Sequence, residues 1–285
     1  VHATLNRLLF LGTPLLFLAP GCATTFETPP IARSSPSGEV RAFSDADAAR
    51  LADELGRLGP EVRTLLGSTR APPRVFLERE AIPGPVDALT TGNKIVIGAE
   101  AREEELVVLA HELAHWYLDG AWAALPGSVE EGVADVVAAQ VLPEWRETLR
   151  GQHVHALATA EPLPDPGSAL QLSSEECMRP GDEAQLRAVR ALGYSVAQRI
   201  GLARLHALCA DARAQGRGTL ASELLMSEAR LGERDLEAWR HALDPRLRLT
   251  FRASDGSVLA TTEKTFPAHG PVPAGACSQE IEVFD

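Results

Sequence analysis

Positive charge is scarce in this 285-residue chain: 27 lysines and arginines face 39 aspartates and glutamates, for a formal net charge of −12. That balance disfavours nucleic acid and anionic membrane surfaces as partners, because the attraction that drives both has the wrong sign. Long apolar runs are absent beyond the N-terminus, so no later segment reads as a transmembrane helix. Cysteine is limited to Cys22, Cys177, Cys209 and Cys277, none in a CxxC arrangement, which argues against a cysteine-ligated zinc ribbon. Only two tyrosines occur, Tyr117 and Tyr194. What remains is 45% hydrophobic, enough to bury a core, and the length points to one main domain with appendages.

The N-terminal run has its own logic. Arg7 precedes an apolar stretch from Leu8 to Leu18, and small residues lead to Gly21 and Cys22, the layout of a secretory signal. Ala19-Pro20-Gly21-Cys22 resembles a bacterial lipoprotein cleavage site, with its leucine, Leu18, four places before the cysteine instead of three. Residues 1–21 are therefore expected to be removed and Cys22 lipidated, holding an exported protein in the bacterial cell envelope, facing the periplasm or at the outer membrane. An ordinary signal peptide cut nearby would secrete it instead. With Cys22 lipidated, Cys177, Cys209 and Cys277 allow at most one disulfide in an oxidising compartment, and spacing does not choose the pair. Residues 22–44, rich in Thr, Ser and Pro, read as a flexible tether.

From Asp45 the pattern becomes helical, with Ser44 and Asp47 placed as a helix start and leucines at helical spacing. Short strands are expected over Pro73–Glu80 and Asn93–Gly98. Ala101–Leu118 reads as a helix, with Glu103, Glu104 and Glu105 in its first turn and Gly120 past its end. Another is expected from Ser128 to Val141, then loop from Leu142 to Pro180, then helices over Asp182–Ala212 and Glu223–Ala242. From Arg246 the residues alternate, and Asp255-Gly256 suggests a turn, so residues 244–285 read as a C-terminal β-hairpin appended to a domain at 45–243.

The chemistry concentrates in Val107–Gly120, "VVLAHELAHWYLDG". On a helix, positions four apart share a face, so His111 and His115 can present two imidazoles to one ion while Glu112 projects beside them. Two imidazoles, a third protein ligand and an open position are what a catalytic Zn2+ requires, and Glu112 is placed to act as general base. Downstream, "PGSVEEGVADVVAA" supplies the third ligand: Glu131, with Asp135 one turn further on to orient a ligand histidine through its free ring nitrogen. Two alternatives stay open on spacing alone. Glu131 could instead cap its own helix with Ser128, and Glu130 would be the ligand were the helix rotated by one residue.

His111-Glu112-Leu113-Ala114-His115 together with Glu131-Gly132-Val133-Ala134-Asp135 resembles the gluzincins, the zinc metallopeptidases that include thermolysin, and the small peptidase-MA-type domains. The likeness extends over about Asp45 to Gly216, in pattern only outside the two motifs. It implies a zincin-like α+β domain: a small mixed sheet with an edge strand, here Asn93–Gly98, an HExxH helix, a second ligand-bearing helix and a helical C-terminal part. It implies one Zn2+ on His111, His115 and Glu131, Glu112 as base, and a peptide or protein substrate. The family commonly adds a tyrosine or histidine that stabilises the oxyanion; Tyr194 is the matching candidate, with His153 and His155 as rivals. No G-A-M-E-N exopeptidase motif precedes His111, so the resemblance implies an endopeptidase. The other reading is a non-catalytic envelope binding or scaffolding module that keeps the fold, against which the intact Glu112 speaks.

Overall fold

The computed structural model describes residues 28–82, 87–160, 164–173, 176, 183–231, 246–252, 257–265 and 278–284. Signal, lipidation and cleavage at Cys22 lie outside these, as do Cys177, Cys277 and the Asp255-Gly256 turn. The architecture is mixed α and β. A five-stranded sheet contains β1 (Ile31–Ser35), β2 (Gly38–Ala42), β3 (Arg74–Leu77), β4 (Ala88–Thr90) and β5 (Ile95–Ile97), in the order β1-β2-β3-β5-β4. The strands β2, β3 and β5 run parallel, and antiparallel strands close both edges.

Helix α1 (Asp45–Leu66) crosses from β2 to the parallel β3, the connection that parallel pairing demands. Its start is where the sequence placed it: the Ser44 hydroxyl accepts from the Asp47 N–H, and Gly67, at φ 62°, closes the other end in the left-handed conformation. A 3-10 turn (Ala99–Glu103) leads into α2 (Glu105–Tyr117), and α3 (Gly127–Val141) packs on it. Next come α4 (Arg146–Thr159), the single turn α5 (Pro166–Ala169), α6 (Glu183–Ile200), α7 (Leu202–Ala214) and α8 (Ser222–Glu228).

Strand alternation decides which side chains meet the helices. Val75, Leu77, Ala88, Ile95 and Ile97 enter the main core with Leu51 and Leu55 of α1, while Leu89 and Val96 join Ile82 in a small cluster of their own. Thr90 is two residues from Ala88 and so shares its helix-facing side. Helix α2 is buried on all sides from Val107 to Tyr117, which explains why its sequence is apolar right round. Between α3 and α6 the backbones nearly touch: a Cβ on Gly193 would lie 1.8 Å from the Ser128 carbonyl oxygen, and one on Gly132 would lie 2.3 Å from the Gly193 carbonyl carbon. Only glycines permit that approach.

Five expectations change. The tether over 22–44 is structured in its second half, because Ser35-Pro36-Ser37-Gly38 is a hairpin turn between β1 and β2 and Val40 and Ala42 are fully buried. Gly38 has φ 141°, and a Cβ there would lie 2.2 Å from the Pro73 carbonyl oxygen. The edge strand is β4, not Asn93–Gly98; β5 lies inside, between β3 and β4. The loop expected over Leu142–Pro180 contains α4, whose prolines lie before and after it and not within it. The helix expected over Asp182–Ala212 is broken at Gly201, which takes φ 79° between α6 and α7. Finally, residues 246–284 hold a three-stranded sheet, β6 (Arg246–Arg252) between β7 (Val258–Thr265) and β8 (Ser278–Phe284), and not a two-stranded hairpin. Among the described residues no helix is long and apolar enough to cross a membrane.

Candidate metal centre

Helix α2 carries His111 and His115 one turn apart, and their Nε2 atoms converge to 3.0 Å. Glu131, from α3, faces both: its Oε1 lies 3.5 Å from His115 Nε2 and its Oε2 lies 3.6 Å from His111 Nε2. All three side chains are buried, at 0%, 6% and 2% exposure for His111, His115 and Glu131. A tetrahedral ion with bonds of about 2.0–2.1 Å needs its ligand atoms about 3.3 Å apart. The distances of 3.0, 3.5 and 3.6 Å, the last two to different oxygens of Glu131, lie on either side of that value. This buried group could hold a metal ion.

Carboxylates set the tautomers. His111 Nδ1–H donates to Asp135 Oδ1 at 2.7 Å, and His115 Nδ1–H donates to Glu130 Oε1 at 3.2 Å. Each ring in its neutral form is thereby left with its Nε2 lone pair directed at the common point, as metal ligation requires. Two lone pairs at 3.0 Å repel, so either a proton or a metal ion must lie between them. Glu131 Oε2 fits the same need, being buried without a hydrogen-bond partner. Glu130 thus faces the other ring nitrogen of His115 and lies outside the triad, and Ser128 does not form a capping box with Glu131, because its hydroxyl donates to the Ala169 carbonyl.

The electrostatics of the cluster show what charge its residues favour. Burial pushes the Glu131 carboxyl up, but the charges of Arg190 and His115 outweigh it and hold the group well below the usual range. Asp135 is likewise held down against burial by His111 and His153. Burial pulls His111 and His115 down, yet Asp135 raises the first and Glu131 with Glu130 raises the second well above an ordinary histidine. The carboxylates demand positive charge at the imidazoles, which protons supply when a metal does not.

Glu112, fully buried, points its carboxylate beside the triad. The Thr90 hydroxyl, on β4, donates to Glu112 Oε2 at 2.5 Å, while Glu112 Oε1 has no hydrogen-bond partner. Burial, opposed by the two histidines, raises its carboxyl above the ordinary value. One oxygen anchored and one open suits a group that handles a proton.

The structure brings together His111, Glu112, His115, Glu131 and Asp135 as the sequence suggested. Tyr194 is placed elsewhere: at 3% exposure on α6, it stacks on His153 with ring centroids 4.1 Å apart and planes at 18°. Burial, reinforced by Asp135, pushes its hydroxyl up to about 12. Its described contact is with His153 and not with the triad. His155 lies on α4 two residues beyond His153, about 200° further round the axis, and supplies no atom to the triad. Three participants escaped the sequence reading in their roles: Thr90 on Glu112, Glu130 on His115, and Arg190, whose Nε lies 4.0 Å from Glu131 Oε2. Only Glu130 left a signal, as the neighbour of the expected ligand. Cys209 is buried and forms no disulfide among the described residues, which do not include Cys177 and Cys277. No protein-family model matches the chain, and no curated protein sequence matches it.

Proposed function

We propose that this protein is a zinc-dependent metallopeptidase with a gluzincin-like site, an endopeptidase carried to the cell envelope by its lipoprotein-type leader. One observation carries the reading: Glu112, held by Thr90 through one carboxylate oxygen, keeps the other open beside the buried His111, His115 and Glu131. A structural metal site has no use for such a group.

His111, His115 and Glu131 would hold the ion, and two imidazoles with one carboxylate are a donor set suited to Zn2+ that leaves a coordination position open. When bound, the ion supplies Lewis acidity, polarising a carbonyl oxygen and lowering the pKa of water to about 7. The residues do the rest. Glu112 Oε1 takes the proton of the attacking water and passes it to the departing amine nitrogen, while the Thr90 hydroxyl keeps the carboxylate from rotating away. Asp135 and Glu130 hold the imidazoles in the ligating tautomer. The strand β4 pairs on one side with β5, and among the described residues no strand pairs with its other side. Its outer backbone groups can take an extended peptide by strand addition. Because Thr90 belongs to this strand, substrate docking and base orientation share one element.

The test is digestion of a complex peptide library by the zinc-loaded protein and by its Glu112→Gln variant, read by mass spectrometry, with bound zinc measured in both. Internal cuts present in the first and lost in the second, at equal zinc content, support the reading. Absence of cuts in the wild type, or equal cutting by both, rejects it.

A further inference from the structure

We propose that His153 is a positioning residue for the metal centre, acting on His111 through Asp135. The inference rests on the metal reading of the triad. Asp135 has two oxygens and an imidazole at each: Oδ1 accepts from His111 Nδ1 at 2.7 Å, and Oδ2 lies 2.9 Å from His153 Nε2. His153 Nε2 is buried and makes no hydrogen bond of standard geometry, and Asp135 Oδ2 is the acceptor within its reach. The histidine comes from α4, an element with no ligand of its own, and its side chain is 12% exposed against 11% for Asp135.

A carboxylate held through one oxygen can still rotate about its own axis and swing the imidazole it supports. With a donor at each oxygen, from α2 and from α4, that rotation is blocked and the His111 ring plane is set. His153 is itself kept in place from behind, since Tyr194 stacks flat against it at 4.1 Å. The chain of contacts runs Tyr194, His153, Asp135, His111 and then the ion, joining α6, α4, α3 and α2. Tyr194 has a role in this arrangement through its ring, as the platform for His153. Groups that support a ligating histidine at this remove tune metal affinity, and the loss of one costs about 10–100-fold.

Two substitutions separate this role from packing. His153→Phe keeps a flat ring for Tyr194 and removes the donor; His153→Gln gives up the ring but retains an N–H at a similar reach. Zinc affinity of the full chain is measured by competition with a chromophoric chelator, and cobalt-loaded samples give the visible ligand-field spectrum. His153→Phe is expected to bind zinc about tenfold or more weakly and to shift the cobalt spectrum, while His153→Gln recovers most of the affinity. Should circular dichroism show His153→Phe unfolded, His153→Ala supplies the donor-free comparison. Wild-type affinity in the donor-free variant overturns the inference, and so does a glutamine variant as weak as the donor-free one, which would assign His153 to packing. A wild-type chain that binds neither metal rejects the reading of the triad itself, in the same titration.

Discussion

Changing a single glycine to alanine should have opposite effects on two helices of this protein. Gly151, in α4, is exposed, and a Cβ there meets nothing within 4 Å. Alanine should therefore stabilise the fold by about 0.5–1 kcal/mol, through the lower backbone entropy of the unfolded chain and better helix propensity. Gly193, in α6, offers the same propensity gain, but its Cβ would sit 1.8 Å from the Ser128 carbonyl oxygen and 3.1 Å from the Val129 nitrogen. Ordinary carbon–oxygen contact is about 3.3 Å, so α6 must retreat from α3 by over an ångström, and neither contact atom is a side chain that could turn aside. Overpacking of this kind costs about 1–3 kcal/mol, and a backbone-to-backbone clash belongs at or above the upper end. The net expectation is destabilisation by about 2 kcal/mol, or a fall in Tm of about 4–8 °C for a domain of this size. The retreat also pulls Arg190 from Glu131, now 4.0 Å apart, and should weaken metal binding. Urea unfolding of the metal-free protein, with chelator competition on the loaded form, reads both effects. If Gly193→Ala is as stable as Gly151→Ala, the close seating of α3 on α6 is wrong, and the placement of Glu131 goes with it.

Thr90→Val removes the one hydrogen bond to the Glu112 carboxylate; a bond to a charged group is worth about 1.5–3 kcal/mol, so kcat/KM should fall about tenfold or more at unchanged zinc content, and unaltered kinetics would refute the anchoring role. Asp135→Ala should lose more zinc affinity than Glu130→Ala, because the contact is 2.7 Å against 3.2 Å and the Asp135 side chain is 11% exposed against 30% for Glu130; equal losses in chelator competition would contradict that ranking. The pH dependence has a definite sign. His111 and His115 titrate above the ordinary value of 6.5 in the metal-free fold, so their protonation stabilises it fully below about pH 6.5, and that contribution is lost as pH rises through the folded values. Since metal requires both rings neutral, the rise in Tm on adding zinc should be larger at pH 8 than at pH 6, and equal rises at both would rule out proton–metal competition at these rings.

The parts of the site that were legible in sequence are those carried by local helical geometry. His111, Glu112 and His115 need only a helix to converge, and Asp135 follows Glu131 by one turn on another. What crosses between elements left little trace. Thr90 reaches Glu112 because β4 and β5 pair in one register, and strands of three residues are too short to reveal a period. His153 meets Asp135 because α4 folds back over α3, in a segment whose flanking prolines read as loop. At the N-terminal side, the run rich in Thr, Ser and Pro that suggested a tether contains the turn of a hairpin, shown by the pairing of β1 with β2 and the burial of Val40 and Ala42.

The strongest argument that the cluster is a working site comes from what a purely structural version of it would look like. Buried polar atoms in a core that serves only packing are paired almost without exception. Here Glu131 Oε2 and Glu112 Oε1 are buried without a hydrogen bond, beside two histidines whose Nε2 atoms are pressed to 3.0 Å. Arg190 and His115 offset the cost at Glu131, but burial wins at Glu112, whose open oxygen costs about 1–3 kcal/mol against a typical total stability of about 5–15 kcal/mol. Replacing Glu112 by an apolar residue of similar volume would remove that cost if packing were all it did, since the Thr90 hydroxyl keeps the Glu112 backbone carbonyl as an acceptor. A cation among His111, His115 and Glu131, with a water at Glu112 Oε1, removes it another way and leaves the base beside the ion. The variant Glu112→Leu should therefore be at least as stable as the wild type in EDTA, still gain stability on addition of zinc, and lose peptide cutting. A Glu112→Leu variant that unfolds would show instead that this carboxylate holds the core together, and the case for a catalytic site would lose its thermodynamic support.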